Sequence, residues 1–168
     1  MKTGWLWLCI IGWWLLFQCG GQAIQSARHG PDQSESRILI TSVSGKVSEF
    51  KQFIIDSLIN RYRTSCLVEI APLKSMESVS KLDYRVIVIM DHCHMGMKGN
   101  RDLIRVLDQM DSLKTVLLVT TGKKPLEFER HGIDAVTSAS DLKQSGPVID
   151  SLTCRIDRIL NVSPGIGR

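Results

Sequence analysis

Cysteine is scarce where it could staple a fold. Of five cysteines, Cys9 and Cys19 fall in the opening apolar stretch, which leaves Cys66, Cys93 and Cys154. An odd count with no two close together provides no disulfide framework. Blocks of like charge are missing as well: beyond position 23, 20 basic residues face 17 acidic ones, a net charge of about +3 spread along the chain. That balance lacks the basic footprint of a nucleic-acid-binding protein, so no nucleic-acid partner is expected. No internal repeat is visible.

Long hydrophobic runs are also few. A single stretch, residues 5–17 of MKTGWLWLCIIGWWLLFQC, is free of charge and follows a lone Lys2. It is shorter than the roughly 20 apolar residues that span a bilayer, and it reads as an export signal. Two processing positions compete. Gly21-Gln22-Ala23 fits small-x-small cleavage after Ala23, whereas Cys19-Gly20-Gly21 resembles the lipid-accepting cysteine of bacterial lipoproteins. The expectation is an exported protein, secreted, periplasmic or membrane-tethered through its N-terminus, touching membrane only through that segment. Residues 1–23 are then a signal peptide or membrane-targeting segment. Residues 24–36, IQSARHGPDQSES, with a Gly-Pro, several Ser and few apolar groups, read as a flexible tether. Residues 37–161 form the domain and 162–168 a C-terminal tail.

From Arg37 onward, short β-branched runs alternate with helical patterns, the signature of parallel strands joined by crossover helices. RILIT (37–41) reads as the first strand, followed by a helix over 47–62 with Val47, Phe50, Phe53, Ile54, Leu58 and Ile59 on its apolar stripe. CLVEIA (66–71) is the second strand, and Leu73, Met76, Val79 and Leu82 mark a brief helical turn. RVIVIMD (85–91) is an uninterrupted apolar run, as a central parallel strand covered on both faces requires. A helix with Leu103, Ile104, Leu107 and Met110 on one face precedes KTVLLVTTG (114–122). IDAVTSAS (133–140) and a helix over 147–160 complete the pattern. The expected fold is α/β, a three-layer α/β/α sandwich around a five-stranded parallel sheet of order 2-1-3-4-5.

In such a sheet the ligand crevice lies at the carboxyl ends of the strands, where the winding direction reverses. The loops at that edge are SVSGKV (42–47), HCHMGMKG (92–99) and TTGKK (120–124), all rich in Ser, Thr, Gly, His or Lys. A helix start offers unpaired N–H groups and the positive end of a dipole, and Gly45 lets the chain approach an anion. The same residues also suit a plain helix cap and turn.

SVSGKV resembles the phosphate loop of flavodoxins, in which a strand runs into Ser/Thr-x-Ser/Thr-Gly-x-Ser/Thr. Ser42, Ser44 and Gly45 match, while Val47 stands where the pattern has its last hydroxyl. LDYRVIVIMDH, SLKTVLLVTTG and GIDAVTSAS are similar to that family's later strands, so the resemblance covers roughly residues 37–161. It implies an FMN-binding electron-transfer or reductase module working with a redox partner protein. Ser42, Ser44, Gly45, Lys46, Val47, His92, His94, Thr120, Thr121 and Gly122 would line the flavin site. The loops after strands three and four contain no aromatic residue to stack on a flavin ring, and the alternative is a non-catalytic binding or scaffold domain that has lost the flavin.

The order of elements also resembles a response-regulator receiver, with Asp91 and Thr120 in the expected places. However, Thr41-Ser42 replaces the acidic pair that would hold Mg²⁺, and TSAS (137–140) supplies no lysine. Asp91-His92-Cys93-His94-Met95 contains metal-ligand types, but no second cluster has ligand spacing, and no metal is expected. No nucleophile with an orienting base is legible, so catalytic residues stay unassigned. Cys66 and Cys154 sit in apolar patterns as buried small hydrophobes. Lys51, Arg61, Asp102, Arg105, Asp108, Arg155 and Asp157 read as solvated helix faces.

Overall fold

The computed structural model describes residues 21–73, 84–93, 101–122 and 132–161. Two short strands, β1 (Gln22–Ala23) and β2 (Ala27–His29), precede β3 (Arg37–Ser42). Then come β4 (Lys46–Val47), helix α1 (Glu49–Tyr62), β5 (Leu67–Ile70), β6 (Val86–Cys93), α2 (Arg101–Leu107), β7 (Thr115–Thr121), β8 (Asp134–Ala139) and α3 (Ser145–Asn161). The main sheet runs β2-β5-β3-β6-β7-β8, with β2 antiparallel to β5 and every other pair parallel. β1 and β4 form a separate antiparallel pair.

Val86, Val88, Ile89 and Met90 are wholly buried. This explains why the run carries no polar alternation: both faces of β6 are covered. Strand alternation divides the core in two. On one side Ile38, Ile40, Val88, Met90 and Leu118 meet α1 through Phe50, Ile54 and Leu58, and α3 through Val148, Leu152 and Ile156. On the other side Leu39, Ile87, Ile89 and Leu117 meet Leu103 and Leu107 of α2. Asp157 of α3 clamps the two helices of the first layer. It accepts a hydrogen bond from the Tyr62 hydroxyl at 2.7 Å and pairs with Arg61 at 2.8 Å.

Several expectations need correction. The sheet has six strands instead of five, because the segment expected to be a tether contributes β2. In the ladder Arg28 lies opposite Glu69. The Arg28 guanidinium pairs with the Glu69 carboxylate, which also accepts a hydrogen bond from the Tyr84 hydroxyl. Backbone pairing with β5 and that ion pair hold a segment whose own composition would not. Helix α1 starts at Glu49 rather than 47, with Ser48 as its cap. Its buried face runs through Phe50, Lys51, Ile54, Ile55, Leu58, Ile59 and Tyr62, whereas Phe53 is 48% exposed. Lys51 therefore belongs to the interior, and Cys154 is exposed on α3, while Cys66 is buried as expected. Met76, Val79, Leu82, the 125–131 segment and residues 162–168 lie outside the described residues. Among the described residues no helix is long and apolar enough to cross a membrane.

Candidate functional site

The carboxyl ends of β3, β6, β7 and β8 gather buried polar groups: Thr41, Ser42, Asp91, Thr120, Thr121 and Ser138 are each no more than 5% exposed. Each stands at the last residues of its strand, where the apolar run that fills the sheet interior stops. A concentration of polar groups at this edge matches the place where open parallel sheets carry their ligands.

The first loop is a tight turn. Val43 donates its backbone N–H to Met90 O at 3.2 Å, fastening the turn to β6, and the Gly45 N–H closes on Ser42 O at 3.2 Å. Gly45 has φ +65°, a left-handed conformation that a side chain would strain, yet no atom lies within 4 Å of where its Cβ would stand. The left-handed backbone by itself accounts for glycine at this turn. The Ser42 and Ser44 hydroxyls both donate to Lys46 O at 3.1 Å, and the Lys46 N–H donates to Ser44 Oγ at 3.3 Å. Val47 is buried in the core, so the position where the flavodoxin pattern has a hydroxyl is a packing position here. The helix begins only at Ser48, whose Oγ accepts from the Lys51 N–H at 3.4 Å, and Glu49 occupies the first turn. That carboxylate already supplies the negative charge a helix start favours. β1 lies along the loop as well, with Gln22 opposite Val47, Ala23 opposite Lys46, and Ile24 N–H donating to Gly45 O at 3.0 Å.

The later strands add a relay of short contacts. His92 Nδ1 lies 3.2 Å from Thr120 Oγ1, and the Thr120 hydroxyl donates to Asp91 O at 3.1 Å. Thr120 has one proton to give, so with that proton on the Asp91 carbonyl the ring must donate from Nδ1 to Thr120. The Thr121 hydroxyl reaches Ser138 O at 3.5 Å. Gly122 is exposed with open space around it. A cleft of about 440 Å³ opens between the end of β8 and the start of α3, lined by Ser138, Asp141, Gln144, Val148 and Ser151 among others. His94 lies outside the described residues.

No protein-family model, curated protein or solved structure matches this chain.

Two further residues, Lys51 and Thr41, belong to this edge. Lys51 is 3% exposed, and burial lowers its ammonium from the usual 10.5 to about 8, partly opposed by the negative charge of Asp91. Thr41 is fully buried, and its hydroxyl has no hydrogen-bond partner among the described residues. The signal for Lys51 was present in the sequence: with Ile55, Leu58 and Tyr62 it keeps the 4-3-4 spacing of one helix face. A four-carbon stem can fill such a position while the charge seeks a polar edge. Among the described residues no group of three or more His, Cys, Asp or Glu is placed to hold a metal ion.

Proposed function

We propose that the chain is an exported flavodoxin-like domain that works as a non-catalytic binding or scaffold module rather than as an FMN electron carrier. The likeness in fold is supported by the parallel strands β5-β3-β6-β7-β8, which correspond to the order 2-1-3-4-5 when numbered along the chain. The observation that carries the functional reading is the commitment of both loop hydroxyls, Ser42 and Ser44, to the Lys46 carbonyl. A phosphate would have to break those bonds and compete with the engaged N–H groups of Val43, Gly45 and Lys46. It would also meet Glu49 at the helix start. As arranged, these residues do not fit the phosphate end of FMN.

A second reading, an FMN-dependent electron-transfer module with a redox partner protein, is favoured by the buried hydroxyls of Ser42, Thr120 and Thr121 and by the half-buried His92 at one edge. Titration of the purified protein with micromolar FMN, oxidised and reduced, separates the two. The binding-module reading expects full flavin fluorescence and colourless protein. Quenched fluorescence that is lost in Gly45→Asp would overturn it, because that substitution brings a side chain and a negative charge into the turn.

A further inference from the structure

Gly21 has no room for a side chain. A Cβ built on it would stand 2.7 Å from the Val47 carbonyl oxygen and 3.1 Å from the carbonyl carbon. Both atoms are backbone and belong to the turn that leads into α1, so neither can swing aside. The next two residues form β1 against Lys46–Val47. Ile24 follows with 8% exposure, packed in the same core cluster as Val47, Phe50 and Ile54. Four consecutive residues are thus engaged with the loop and the core. Cleavage after Ala23 would remove three of them and strip Lys46 and Val47 of their strand partner. It would also place a new charged amino terminus on Ile24, a buried residue whose N–H now donates to Gly45 O. Charge at a buried site is costly.

We infer that Gly21–Ile24 belong to the mature folded domain, so that export processing takes place upstream of Gly21 and not after Ala23. This rests on the export reading above. The step is hydrolysis by the exporting cell's membrane-bound leader peptidase. Water adds across one peptide bond, leaving a carboxylate on the released leader and an ammonium on the domain. The Cys19-Gly20 positions lie on the permitted side of that boundary, and the small-x-small triplet ending at Ala23 serves the fold instead.

The full chain with its leader, wild type and Gly21→Val, is produced in an exporting bacterial host. Exported and membrane fractions are then analysed by intact mass and by thermal unfolding. Valine at position 21 leaves cleavage after Ala23 open. The expected result is a wild-type chain that retains Gly21–Ala23 and a Gly21→Val protein that melts at least about 3 °C lower. A mature chain that starts at Ile24, with wild type and variant then identical in mass, overturns the inference. Equal melting points with Gly21 retained also overturn it, since the segment would then lie outside the fold. Full-length chain left in the cytosol refutes the export reading itself, a result distinct from an Ile24 terminus.

Discussion

Replacing Lys51 by Met should abolish a specific rise of stability with pH. In the folded protein the amine is buried and gives up its proton near pH 8, whereas in the unfolded chain it does so near 10.5. Below about pH 8 both states hold the proton, and the cost of burying the ammonium is present in full. As pH climbs toward 10.5 the folded state releases its proton first, the unfolded chain binds more protons, and stability rises. Integrated from about pH 7 to about pH 9.5, this single group contributes about 2 kcal/mol, or roughly 4–8 °C in melting temperature for a chain of this size. Tyr62 and Tyr84 are both raised above their ordinary value of 10.0, mainly by burial and secondly by their hydrogen bonds to Asp157 and Glu69. They act in the opposite sense, but only as the unfolded phenols ionise near pH 10 and above, at the top of this window. Met keeps the apolar stem and its packing while removing the titrating head. Urea unfolding of wild type and Lys51→Met at the two pH values is the assay. Wild type should gain and the variant should stay flat. Equal pH responses in the two proteins would refute the assignment of a buried, electrostatically perturbed Lys51.

The α1 face can be tested by a pair of substitutions. Ile54→Ala, at a fully buried position, should cost about 2–5 kcal/mol. Phe53→Ser, at a position 48% exposed, should change stability by only about 0.5 kcal/mol. Chemical denaturation reads both, and a larger cost at Phe53 would restore the stripe expected from sequence. Tyr62→Phe removes the 2.7 Å bond to Asp157, and an unchanged denaturant slope with about 1.5–3 kcal/mol less stability is expected for loss of a hydrogen bond to a charged partner. No loss would mean that the Tyr62 hydroxyl adds nothing to the Arg61–Asp157 pair and the apolar packing that join α3 to α1.

The sheet interior was legible because burial on both faces demands an unbroken apolar run, and the stretches around Ile38–Ile40, Val86–Met90 and Val116–Val119 could serve no other purpose in a chain of this length. The helix faces were legible where the residue type is unambiguous. Lys51 was misread because charge, taken alone, predicts solvent, while the length of its stem and its place in the 51-55-58-62 spacing decide otherwise. β2 could not be read from its own residues. What holds it is a ladder to β5 about 40 positions away and the Glu69 carboxylate beneath Arg28. The loop at 42–47 shows the same division most sharply. Its composition permits either a phosphate cradle or a turn, since hydroxyls and glycine serve both. Only the tertiary arrangement assigns the Ser42 and Ser44 protons to Lys46 O, buries Val47 and lays β1 along the turn. A sequence specifies which groups can donate; the partner each one finds depends on what the folded chain brings within 3 Å of it.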